Sequence, residues 1–116
     1  MKYTGSILGF RPSNFNSIYT IITDDKVYTW RANVVAEIAD SLIKLSFNWN
    51  GDLFELQLRQ LKDGYYDGKI IYNRTSGGSC YFWLYERKDG LILKGDFIED
   101  DAGTYDCIIE LRKIDL

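Results

Sequence analysis

Five carboxylates, Asp96, Glu99, Asp100, Asp101 and Asp106, crowd the stretch DFIEDDAGTYD. Carboxylates this close could hold calcium or act as an acid–base pair. Their spacing lacks the alternating ligands and central glycine of an EF-hand loop. Nothing in the pattern holds two of them inward at the fixed separation that glycoside hydrolysis requires. The run reads instead as a solvated hairpin rich in turn formers. The chain has no histidine, which removes the side chain most used for proton transfer near neutral pH and the commonest transition-metal ligand. Ser–His and Cys–His nucleophile pairs are therefore impossible. A zinc ion would have to use carboxylates and the two cysteines, Cys80 and Cys107, at unsuitable spacing. Gly77-Gly78 in RTSGGS leads into a strand, not a helix N-terminus, so it reads as a hairpin loop and not as a phosphate cradle. No catalytic or metal-binding residue and no cofactor is assigned. An enzyme working with Tyr and carboxylate groups alone is the one catalytic option left.

The other side chains with chemical reach are aromatic: nine Tyr, six Phe and three Trp in 116 residues. In SCYFWLYER, residues 79–87, Cys80, Phe82 and Leu84 alternate with Tyr81, Trp83 and Tyr85, so both faces of one strand are apolar. The aliphatic set is expected inward, leaving Tyr81, Trp83 and Tyr85 outside with Arg87 at the strand end. Three arrangements satisfy that pattern. Another segment, such as Ala32–Asp40 or a terminal one, covers the rings; the rings form a protein-contact patch; or the register reverses and they line the interior. Stacking of single-stranded bases would need a basic groove, which Arg87 and Lys88 do not make. The formal charge of −3, from 14 basic and 17 acidic residues, also opposes nucleic acid.

Strands must position these rings, and the punctuation shows how. Turn signals occur at Arg11-Pro12-Ser13-Asn14, Asp24-Asp25, Asn50-Gly51, Asp63-Gly64, Ser76-Gly77-Gly78, Asp89-Gly90 and Asp100-Asp101-Ala102-Gly103. From Asn50 they recur about every 13 residues, the beat of long strands joined by tight antiparallel turns. Between them the period is two. Phe54, Leu56 and Leu58 oppose Glu55, Gln57 and Arg59; Ile43, Leu45, Phe47 and Trp49 oppose Lys44, Ser46 and Asn48; Tyr105, Cys107, Ile109 and Leu111 oppose Asp106, Glu110 and Arg112. One beat is missing near residue 37, where the alanines and Glu37 of ANVVAEIAD suit a short helix near 33–40, or a loop.

Such a meander cannot stay open, because its dry face and both edges would be exposed. The expected fold is all-β: a single domain, residues 1–116, of eight to nine antiparallel up-and-down strands closing into a small barrel. Gly5, Gly9, Gly68 and Gly95 lie within strands, where glycine lets a barrel strand bend. Expected inward residues include Ile22, Trp30, Trp49, Phe54, Leu58, Tyr72, Phe82, Leu93, Phe97, Tyr105 and Ile109.

The meander, the strand lengths and Tyr3-Thr4-Gly5-Ser6-Ile7 entering the first strand resemble the small lipocalin-like barrels of the calycin group. The resemblance is architectural: Gly5 is followed by Ser6-Ile7 where that group carries Gly-x-Trp, and no site residue carries over. It implies a non-catalytic binding protein with a small-molecule site at the barrel mouth, for a small apolar or aromatic molecule. Trp30, Trp49, Tyr72 and Tyr105 combine ring area with a polar tip and are the expected ligand-binding residues. The alternative is a protein-binding module, of inhibitor or immunity type or a homodimer, using Tyr81, Trp83, Tyr85 and Arg87.

No segment approaches the about 20 apolar residues of a membrane helix, and MKYTGSILGF does not read as a secretory signal. A cytoplasmic location without membrane partners is therefore expected. Cys80 and Cys107 are expected to be buried thiols rather than a disulfide. The acceptor pattern at Asn73-Arg74-Thr75 is expected to be chance.

Overall fold

A computed structural model describes residues 1–11, 28–100 and 103–114. They form eight strands: β1 (Lys2–Arg11), β2 (Tyr28–Ala39), β3 (Leu42–Trp49), β4 (Asp52–Lys62), β5 (Tyr65–Tyr72), β6 (Thr75–Arg87), β7 (Gly90–Glu99) and β8 (Gly103–Lys113). Each pairs antiparallel with its sequence neighbour, and β8 pairs with β1, so the meander closes into a barrel. Among the described residues no helix occurs, and so none that is long and apolar enough to cross a membrane. Ile22, the IYTIIT strand pattern and the turns expected at 12–14 and 24–25 lie outside the described residues, as does the Asp101-Ala102 part of the last turn.

Alternation decides which way each strand faces. Phe54, Leu56 and Leu58 are buried, as are Phe82, Leu93, Phe97 and Ile109, while no polar or charged side chain is buried among the described residues. The apolar side lines the interior, the inverse of a membrane-spanning barrel. Each buried side chain contributes on the order of 1.5–3 kcal/mol, so the packed interior is the main support of the fold.

Two expectations are corrected. Ala32–Asp40 is neither helix nor loop: residues 32–39 continue β2, with Ala32, Val34 and Ala36 buried and Asn33, Val35 and Glu37 outward. Pairing with β1 and β3 on both sides overrides the helix preference of three alanines. The missing turn falls at Asp40-Ser41, where Asp40 takes φ 55°. Nor is Ser76-Gly77-Gly78 the turn between β5 and β6. That turn is Asn73-Arg74, both at positive φ (46° and 71°). Gly77 is the extra residue of a bulge, since Ile70 pairs with Gly78 and Ile71 with Ser76.

Cys80 and Cys107 are buried free thiols. They lie on β6 and β8 with β7 between, and are offset along the strands, since Cys107 pairs with Gly95, whose β6 partner is Phe82. Burial first, and Asp67 second, push the Cys80 thiol up to about 12, and burial and Cys80 raise Cys107 further. Both are inert hydrophobes at neutral pH.

Candidate functional site

An up-and-down meander brings alternate turns to the same end. The ends of β1, β3, β5 and β7 and the starts of β2, β4, β6 and β8 share one rim. That rim collects rings. Trp30 opens β2, Phe47 and Trp49 end β3, Phe54 opens β4, Tyr72 ends β5, Phe97 ends β7 and Tyr105 opens β8.

Trp30 is the hub. Its indole stacks on Phe47 at 5.6 Å and 18°, meets Phe97 edge-on at 5.3 Å, and lies 6.1 Å from both Trp49 and Tyr105. Phe47 stacks flat on Phe54 at 5.1 Å and 2°, and Phe54 continues to Tyr72 at 5.0 Å. Such offset and edge geometries each contribute about 0.5–1.5 kcal/mol beyond burial. Gly9, paired with Trp30 across β1 and β2, makes room for the hub, because a Cβ there would run into the indole. Here a strand glycine serves close approach of a side chain.

The four expected ligand-binding residues, Trp30, Trp49, Tyr72 and Tyr105, are thus brought together in one ring network. Phe47, Phe54 and Phe97 connect them. Trp30 and Tyr105 are half-buried against the core, whereas Trp49 (40% exposed) and Tyr72 (38% exposed) stand at the rim and are not inward core residues. Phe47, though read as inward-facing, carried no polar tip to mark it; its level on β3 was the available signal.

A polar clasp holds this rim. The Tyr72 hydroxyl donates to Asp52 Oδ2 (2.8 Å), and Asn73 Nδ2 donates to Asp52 Oδ1 (3.0 Å). The Leu53 N–H donates to Asn73 Oδ1 (2.9 Å) and the Asn73 N–H to the Leu53 carbonyl (2.8 Å). The Asn73 bonds first, then Tyr72, hold the Asp52 carboxyl below its ordinary value, and the bond to Asp52 raises the Tyr72 phenol.

Beside the clasp lies a recess of about 280 Å³ lined by Phe54, Tyr72, Thr75, Ser76, Gly77, Glu99 and Asp100. Because the Tyr72 hydroxyl is engaged by Asp52, the recess presents the tyrosine ring. Two larger hollows, about 840 and 560 Å³, lie on the outside at the far end, around the 87–90 turn, and are lined by charged and polar residues together with Leu91. Arg87 lines both. No cluster of His, Cys, Asp and Glu suited to a metal occurs among the described residues.

The second expected set, on β6, faces outward. Cys80 and Phe82 are buried, while Tyr81, Trp83 and Tyr85 are 37%, 44% and 51% exposed, so nothing among the described residues covers them and the register is not reversed. Tyr65 of β5 lies 4.6 Å from Trp83. The register shift between Gln60 and Lys62 brings the Lys62 ammonium over both rings, at 5.7 and 5.3 Å, and Lys94 sits 6.0 Å from Tyr85.

Fold and site together define a small closed antiparallel β-barrel with one aromatic rim, consistent by architecture with a lipocalin-like fold. Comparison with protein-family models, curated proteins and solved structures found no match to the chain.

Proposed function

We propose that this protein is a non-catalytic binding protein, lipocalin-like in the calycin sense, that takes a small molecule at the aromatic mouth. The observation that supports this most is the recess lined in part by Phe54 and Tyr72 at the edge of the ring network. Its rings suit a flat apolar face, and Thr75, Ser76, Glu99 and Asp100 suit hydroxyl or ammonium groups. The ligand class is therefore a small aromatic molecule carrying a hydrogen-bond donor, such as an aromatic amine. It rests at the mouth, because Trp30, Phe47, Phe54 and Phe97 fill the barrel at that level. The proposed setting is the cytoplasm, where two unpaired buried thiols are at home.

Titration with tryptamine and phenethylamine, followed by two-dimensional NMR, tests this. Saturable shifts at Phe54, Tyr72 and residues 75–77 are expected, with affinity falling at least about tenfold in Tyr72→Ala. Shifts scattered over the surface, or unchanged affinity in the variant, would refute it.

A further inference from the structure

The outer face of β6 carries its charges in rows. Level with Tyr81 stand Asp67 on β5, Asp96 on β7 and Asp106 on β8. One level along, Trp83 lies between Tyr65 on β5 and Lys94 on β7, with the Lys62 ammonium over the same rings. An acidic row and a basic row, each centred on an exposed ring, are therefore adjacent. Asp96 and Asp106 are direct cross-strand partners, a placement in which like charges destabilise the sheet. Burial and the neighbouring Asp96 both push the Asp106 carboxyl up.

We propose that this face binds a second copy of the chain, about a two-fold axis lying across the strands between the two rows. Such an axis leaves each strand facing its own counterpart and exchanges the rows. Tyr81 of each copy then meets Trp83 of the other, Asp96 meets Lys94, and Asp67 meets the Lys62–Tyr65 pair. The alternative axis, along β6, would set Asp67 against Asp96 and Lys62 against Lys94. The charge pattern thus selects one of the two isologous arrangements. It also brings a cation to the repelling Asp96–Asp106 pair. A second copy supplies this complement by symmetry alone. The inference is independent of the mouth, which lies at the barrel's rim.

Sedimentation velocity over a concentration series tests it. The expected result is a species of twice the 13.5 kDa chain mass, lost in Trp83→Asp. Asp96→Lys and Lys94→Asp should each weaken association at least about tenfold, because each sets like charges against one another twice. The double variant D96K/K94D should restore it. A mass of one chain at every concentration, or a double variant no tighter than the singles, overturns the proposal. Circular dichroism verifies that the variants fold. A second measurement uses the unmodified sequence: carbodiimide coupling in a mixture of isotopically light and heavy chains. Mixed-label peptides joining Asp96 to Lys94 or Asp67 to Lys62 support the arrangement, and mixed-label peptides joining only other positions overturn it.

Discussion

The two ends of the barrel are packed with different materials. One end is a network of rings, with Trp30, Phe47, Phe54 and Phe97 at interplanar angles from 2° to 63°. At the other, the inward positions nearest the rim are mostly aliphatic: Ile38, Ile43, Leu58, Leu84, Leu91 and Leu111, joined by Tyr3 and Tyr66. Branched aliphatic chains interdigitate and fill space with little regard to angle. Rings have preferred orientations, so a displaced ring disturbs its neighbours. The aliphatic end accounts for itself as packing. The ring end does so only in part, because Trp49 and Tyr72 leave a substantial share of their rings at the surface.

The largest effects come from truncating each end. Phe97→Ala should cost about 3–5 kcal/mol and Ile43→Ala about 2–5 kcal/mol in urea denaturation. The two should differ in kind. Loss of Phe97 removes an edge contact of Trp30 and should change the near-ultraviolet circular dichroism of the folded protein. Loss of Ile43 should leave that signal intact, and an equal change in both would break the contrast. A smaller effect, about 1–3 kcal/mol, is expected from Gly9→Ala, which drives a methyl into the Trp30 indole. Its signature is a shifted tryptophan emission with the aliphatic methyl resonances unmoved.

The smallest effect is electrostatic. Asp52 is held below its ordinary 3.8, so its contribution to the clasp is present above that value and is lost as pH falls through the depressed folded one. Tyr72 is raised above 10.0, so its contribution is present below that value and is lost as pH rises through the raised one. Carbon NMR of the Asp52 carboxyl should show the depression shrinking in Tyr72→Phe and shrinking further in Asn73→Ala. An Asp52 titration unchanged by either substitution would contradict the clasp.

Much of the barrel was legible because its signals were local. Asn50-Gly51 turns with both residues at positive φ (53° and 87°), and Phe54, Leu56 and Leu58 face inward as their alternation requires. The orientation of β6 was legible too, since its inward set matches the aliphatic lining of the neighbouring strands. The strand at 32–39 was hidden because alanine occupies inward positions that larger residues usually mark, and only pairing on both sides reveals it. The Asn73-Arg74 turn was hidden because arginine seldom takes positive φ; here Asn73, bonded to Asp52 and Leu53, holds it. The gathering of Trp30, Trp49, Tyr72 and Tyr105 at one rim was implicit in turn order. A polar tip distinguishes these four in the sequence, however, and the phenylalanines that link them have none.

The seam between β1 and β8 has a consequence for biosynthesis. It ties Tyr3 to Lys113 and Phe10 to Asp106, and the Ile114 N–H reaches the Lys2 carbonyl at 2.9 Å. A chain emerging from the ribosome can pair β1 with β2 early, but the other edge of β1 stays open until β8 has left the exit tunnel. For that interval the nascent sheet has two naked borders, and its safety rests on how quickly the final strand arrives.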